Sequence, residues 1–374
     1  MLKKSFHTLL RCFGNSDIIL SLLMLTASVY GILLIASLQR EGGADFLKTQ
    51  IIALCLGIAA SLILSKTDHR IAGKLWWLLA GIALALTIAV FFVGIQVSGT
   101  DDVGWIKIGA MTFQPSELTK ICFMITFSKH LDFLDAAKRL KSFFGVMTLL
   151  IHTLVPVVLI HLQGDDGAAL VFALMSLTMA FAAGVQLRYF LVTGAAAAVS
   201  VPVLWFGVLN TDQKNRLLAA FGADGGMSDS YGWQQYQGRI SVSSGGVFGK
   251  GLFKGPRVAS QVVPYQENDF IFTVSGEELG FIGCIAVIVL LALILFRVLH
   301  IACRAGDIFS RSICIGYFAL VASQTLINVG MVLGLMPVVG VTLPFFSSGG
   351  TSLVCMFTGA GLVQSVYADT RKIK

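Results

Sequence analysis

Apolar runs of about 20 residues, the length that crosses a bilayer, recur along nearly the whole of this sequence. They read as spans at 17–38, 46–65, 75–97, 114–129, 143–161, 167–185, 188–208, 269–296, 310–335 and 341–365. The runs are continuous rather than alternating, which argues against a transmembrane barrel. The first run is too long for a cleavable signal and reads as an anchor. Composition agrees, since only 13% of the 374 residues are charged and the mean hydropathy is +0.83, against about 25% charged in a soluble domain. The expected fold is an all-α polytopic membrane protein of about ten transmembrane helices. It forms one integral membrane domain over residues 1–374, with a long extracellular loop, 209–268, between spans seven and eight.

Basic residues set the orientation. With the N-terminus inside, seventeen of the 27 Lys and Arg residues fall on cytoplasmic segments. Only Arg40, Lys48, Lys107 and Lys120 fall on short outer segments, and the remaining six lie in the long loop. Both termini are therefore expected in the cytoplasm. The net charge of +7 follows from this topology and calls for no nucleic-acid partner. None of the seven cysteines falls in an outer loop, and none has CxxC spacing, so packing is their expected role.

Polar groups are costly in lipid, so their placement marks function. Three clusters share the outer side: DDVGWIKIGAMTFQPSELTK (101–120), HLQGDDG (161–167), and the long loop running into QENDFIFTVSGEELG (266–280). The loop centre, SVSSGGVFGKGLFKGPR (241–257), mixes glycines with Lys250, Lys254 and Arg257, a composition that brings backbone N–H groups and cations to an anionic ligand. It is no Walker A loop, because Gly251 follows Lys250 where Ser or Thr is required. At 100° per residue Asp269, Thr273, Gly276 and Gly280 share one helical stripe. From spacing alone, Asp269 either caps its helix or serves as a carboxylate base. Glu277 and Glu278 fall about 12–14 Å further along and are expected to pair within the bundle. Glu117 and Lys120 have i, i+3 spacing and can pair on one face, just after Pro115, which suits a first helical turn. Asp165 and Asp166 stand at a span entrance, to bind a cation or to cap.

These residues resemble the SEDS family (shape, elongation, division and sporulation), which includes RodA, FtsW and SpoVE. The matching stretches are GWIKIGAMTFQPSELTK (104–120), QGDDGAALV (163–171), WQQYQGRISVSSGGVFGKGL (233–252), VPYQENDFIFTVSGEELGFIG (263–283) and NVGMVLGLMPVVGVTLPFFSSGGTS (328–352). Gly104, Thr112, Gly238 and Ser348 depart from the pattern, where Arg, Arg, Ser and Tyr are usual. The resemblance implies a peptidoglycan glycosyltransferase that polymerises lipid II at the outer face of the cytoplasmic membrane, with Asp269 as the essential acid and Glu117 and Lys120 as functionally sensitive positions. With those two, Arg216, Gln237, Lys250, Lys254, Arg257 and Ser347 are candidates for binding the substrate. A divalent cation (Mg or Mn) is a further candidate for stabilising the diphosphate, and no organic cofactor is expected. The implied partner is a class B penicillin-binding protein transpeptidase. The chain is compact and lacks long cytoplasmic tails, which favours an elongation enzyme of RodA type over division or sporulation types.

The rival reading is a lipid II flippase with the carboxylates as an ion relay, for which Glu277 and Glu278 are the best support. A weaker one is a scaffold that recruits a transpeptidase. Polar clusters biased to one face, without an inverted repeat, favour the enzyme.

Overall fold

The computed structural model describes residues 16–39, 46–96, 103–108, 111–209, 211–220 and 230–372. Among them nine helices are long and apolar enough to cross a bilayer. In chain order these are α1 (Ile18–Leu38), α2 (Phe46–Lys66), α4 (Trp76–Val93), α6 (Phe143–His161), α7 (Asp166–Ala183), α8 (Leu187–Val203), α12 (Ile271–Ala302), α13 (Ile308–Val332) and α14 (Gly350–Lys372). A short helix, α3 (His69–Lys74), joins α2 to α4. The helices start where the sequence supplies caps. Asp17, Ser142, Asp165 and Asp307 each accept a backbone N–H in the first turn of α1, α6, α7 and α13.

The tenth expected span, 114–129, is a 22-residue helix, α5 (Pro115–Ala136), with Pro115 in its first turn. It carries more charged residues than any other long helix, which protein rather than lipid around it makes tolerable. Fifteen of its residues are buried, and it packs against α4, α6, α7, α13 and α14. By contrast α8 buries none of its residues. The last span begins later than expected, since residues 341–349 form an irregular segment ahead of α14.

A two-stranded hairpin, β1 (Ile106–Ile108) with β2 (Met111–Phe113), connects α4 to α5. The expected long loop is itself folded, carrying α9 (Thr211–Ala220), α10 (Ser230–Ser244) and α11 (Pro256–Ala259). The hairpin and this segment lie at one end of the bundle, called here the loop end. At the opposite end, the Arg297 guanidinium binds buried Asp17 at 2.6 Å, and the Asp17 N–H donates to Gln364 Oε1 at 2.5 Å. The start of α1 and the end of α14 therefore meet, as an even number of crossings requires. Beside them Arg70 bridges Asp307 and Asp369. Burial raises the Asp307 carboxyl, but hydrogen bonds from Ser310 and Arg70 outweigh it and hold it below the usual range.

α12 is not one continuous helix. Gly280 has φ 68° and ψ −159°, a backbone region open to glycine alone. The N–H groups freed by this break are taken by the folded loop: Phe281 N–H donates to Gly246 at 2.9 Å and Ile282 N–H to Val247 at 3.2 Å. Beyond the break, residues 281–302 rise about 33 Å at 1.5 Å each, enough to cross a bilayer unaided. The QENDFIFTVSGEELG stretch thus precedes the lipid-spanning part of α12. A Cβ at Gly280 would fall 2.3 Å from the Gly249 nitrogen. Gly280→Ala is expected to cost about 1–3 kcal/mol from backbone strain alone, read as a lowered Tm of the detergent-solubilised protein. An unchanged Tm would show that the break is not required.

Candidate functional site

Asp269 lies in the turn ahead of α12, not on the helix. The helix begins at Ile271 with Phe270 as its N-cap residue and has no side-chain cap there. The expected stripe therefore fails at both ends, since Asp269 precedes the helix and Gly280 breaks it. Two long-range contacts hold the Asp269 turn. Buried Asn328 of α13 donates to the Asp269 carbonyl at 2.8 Å and to the Val341 carbonyl at 2.7 Å. Gly340, held at φ 64°, leaves a Cβ-sized approach 3.6 Å from Asp269 Oδ2.

Ser347 acts on the same turn. Its hydroxyl donates to the Asn268 carbonyl at 2.5 Å and accepts from Leu343 N–H at 2.8 Å. Buried Gln50 of α2 secures the neighbouring backbone, donating to the Ser347 carbonyl and accepting from Gly349 N–H. Ser348 N–H donates to the Glu267 carbonyl at 2.7 Å. Residues 339–349 thus form a backbone cradle around Asp269. Gln50 and Asn328 are the positions that sequence reasoning missed. A buried amide inside an apolar run was the only available signal.

The second cluster belongs to the first turns of α5 and α7. Lys120 Nζ donates to Glu117 Oε1 at 2.7 Å, with the two side chains 2% and 5% exposed. Glu117 Oε2 is buried without a hydrogen-bond partner among the described residues. Asp165 accepts from Ala168 N–H at 2.8 Å and from Gln114 Nε2 at 3.3 Å. It is therefore the cap of α7, while Asp166 pairs with His161. Burial pushes the Asp165 carboxyl above its usual range, and the Ala168 N–H and Lys120 offset this only in part.

An acid with a raised folded-state pKa is destabilising once ionised. Stability should therefore fall as pH rises from the usual 3.8 through the raised folded value. Asp165→Asn keeps the cap and is expected to remove that slope, raising Tm near neutral pH. Equal pH profiles for variant and wild type would contradict this.

This cluster adjoins the Asp269 cradle. Gly167 packs against Val339 and Val341, the residues on either side of Gly340.

The third cluster is the folded loop. Glu277 and Glu278 are fully buried, but they do not lie deep in the membrane part of the bundle. Glu277 accepts from Arg257 N–H at 2.9 Å, Val258 N–H at 3.0 Å and Lys250 Nζ at 3.2 Å. Glu278 accepts from Ser37 Oγ at 2.6 Å and Gly255 N–H at 3.3 Å. Their partners are mostly the glycine-rich loop rather than other spans. The Arg257 guanidinium donates to Gln237 Oε1 at 2.5 Å and to Ser241 at 2.9 Å. Gly238, one residue on from Gln237, touches Phe270 and Thr273 and so brings this cluster against the Asp269 turn. The usual Ser would add its Cβ and Oγ at that contact. Lys254 is exposed, with its aliphatic stem against Gly251. Arg239, a cation not singled out from sequence, has its guanidinium beside Gly334. Arg216 falls on α9, and its side chain lies outside the described residues. Lys107 is exposed on β1.

Among the described residues no three His, Cys, Asp or Glu side chains converge as a metal centre requires.

Fold and site together define a multi-pass α-helical membrane protein that gathers one carboxylate, a buried ion pair and a cation-bearing loop at a single end. The family model described as cell cycle protein, FtsW/RodA/SpoVE, matches residues 8–372. A probable peptidoglycan glycosyltransferase FtsW of Trichlorobacter lovleyi is 30% identical over 99% of this chain and 97% of its own length. The peptidoglycan glycosyltransferase MrdB of Escherichia coli K12 is 29% identical over 94% of this chain and 93% of its own. Among solved structures, one on the coordination of polymerization and crosslinking by a peptidoglycan synthase complex aligns with a TM-score of 0.81 at 27% identity. It covers 95% of this chain and 98% of that one. The rod shape determining protein RodA of Thermus thermophilus aligns with a TM-score of 0.70 at 27% identity, covering 95% and 97%. The chain belongs to the FtsW/RodA/SpoVE family.

Proposed function

We propose that this protein is a peptidoglycan glycosyltransferase that polymerises lipid II with Asp269 as its general base. The single observation that carries this reading is the placement of Asp269. It is half-buried, off the helix, fixed through main-chain bonds, and flanked by Lys120, Lys250 and Arg257 clusters that reach its turn through Gly340 and Gly238. The acceptor sugar's 4-hydroxyl attacks the anomeric carbon of the donor, and the bond from that carbon to the diphosphate oxygen breaks. Undecaprenyl diphosphate departs with the bonding pair, and the Asp269 carboxylate takes the hydroxyl proton. One displacement turns the α-linked donor into a β-1,4 product. Lys120, Lys250, Arg257 and Arg216 are the groups proposed to stabilise the departing diphosphate, with Glu117 holding Lys120 and Gln237 holding Arg257.

The loop end is proposed to face outward and both termini the cytoplasm, which the basic-residue bias supports. The partner proposed is a class B penicillin-binding protein, supported by the synthase complex among the similar structures. The test is to incubate purified protein with labelled lipid II, alone and with the transpeptidase. Glycan strands that a β-1,4-specific muramidase digests are expected, and products resistant to it would overturn the reading.

A further inference from the structure

The turn after α10 carries apolar side chains that stay exposed among the described residues. Phe248 is 81% exposed, with Val247 beside it and Phe253 across the turn also exposed. Its height is set by two backbone bonds, Phe281 N–H to Gly246 and Ile282 N–H to Val247. Those acceptors sit against the first residues of the lipid-spanning part of α12. There Phe281 is 62% and Ile282 53% exposed, and the exposed apolar strip continues down the helix through Val289 and Phe296. Since residues 281–302 are about as long as the hydrocarbon core is thick, Phe281 marks the edge of that core. Phe248 and Val247 therefore extend an existing lipid-facing strip at the level of the interface. Lys254, exposed next to Phe253, supplies the cation that suits anionic headgroups.

We infer that the turn 246–254 is an interfacial membrane anchor. Val247, Phe248 and Phe253 enter the acyl boundary of the leaflet at the loop end, and Lys254 lies among the lipid phosphates. Aromatic and aliphatic tips flanked by lysine are the composition such anchors use. The anchor would fix the height of the Lys250 and Arg257 segment, which Glu277 already ties to α12, relative to a membrane-embedded ligand. A protein partner seated on the same residues is the competing occupant. Continuity with the lipid-facing strip of α12 favours lipid.

The experiment places the photoreactive residue p-benzoylphenylalanine at Phe248, at Phe281 as a lipid-facing control, and at exposed Gln261 as a control off the strip. Each full-length protein is illuminated in nanodiscs of phosphatidylethanolamine and phosphatidylglycerol. Lipid adducts at position 248 are expected within about threefold of those at 281, as a side chain at the acyl boundary requires, and well above those at 261. The same adducts should persist when the penicillin-binding partner is added. Adducts at 248 no higher than at 261 would overturn the anchor, as would lipid adducts at 248 replaced by protein crosslinks on adding the partner. Because the readout is lipid contact, it stands or falls independently of glycosyltransferase activity.

Discussion

Asp269→Asn is expected to lower lipid II polymerisation by about 10²–10⁴-fold, the contribution of a positioned general base. The substitution is nearly isosteric, and the bond from Asn328 goes to the main-chain carbonyl of Asp269, so the turn keeps its main anchor. Thermal stability should therefore stay within about 0.5 kcal/mol of wild type, as for a change away from core packing. Polymerisation assays read beside detergent melting curves separate lost chemistry from lost fold. A variant that polymerises within about threefold of wild type, far short of a base's contribution, would remove Asp269 from the reaction.

The second large effect concerns the ion pair beneath the cradle. Lys120→Met leaves Glu117 charged and unpaired at 4% exposure. Breaking a buried pair from one side costs about 3–5 kcal/mol. The double substitution Glu117→Leu with Lys120→Met removes both charges, and replacing a buried pair by apolar groups of similar size is often neutral. Most of the lost stability should return in the double variant, read as Tm in detergent, while polymerisation stays low because a cation for the diphosphate is gone. Recovery of both would assign the pair to insertion and folding alone. Recovery of neither would show that Glu117 and Lys120 each hold the bundle through separate contacts.

Much of the fold was legible because lipid imposes a length and a polarity on each crossing. All ten expected spans correspond to helices, with boundary shifts of a few residues and a later start for the last. The i, i+3 pair of Glu117 and Lys120 was also legible, since helix geometry alone brings them together. The break at Gly280 was not. Gly280 stands between Gly276 and Gly283, nothing in residue type marks which of the three breaks the helix, and the acceptors that make the break tolerable, Gly246 and Val247, lie in the loop. Missing it misplaced Glu277 and Glu278, which depth counted along one straight helix puts inside the membrane. Both instead pin the glycine-rich loop to the head of α12, and the strongest sequence argument for a midplane ion relay loses its basis.

The reading of Asp269 as cap or base changed for a similar reason. The capping alternative assumed a helix starting at Asp269, and the N-cap is Phe270. Gln50 and Asn328 escaped notice because their partners are remote in sequence. Gln50 holds the backbone of Ser347 and Gly349, and Asn328 joins Asp269 to Val341. Backbone acceptors leave no mark on residue type. The loop 209–268 reads as a long extracellular loop, and the helices within it leave no hydrophobic signal because they are short and polar. Its order comes from packing α10 on α12.

The most direct measurement reconstitutes wild type and Asp269→Ala in vesicles, with the penicillin-binding partner and fluorescent lipid II, and follows strand formation and lipid II transfer across the bilayer together. The account predicts muramidase-sensitive strands from wild type, none from Asp269→Ala, and no transfer above that of protein-free vesicles for either. Transfer of lipid II by wild type without strands, abolished in Asp269→Ala, would contradict it and make the same carboxylate part of a transporter.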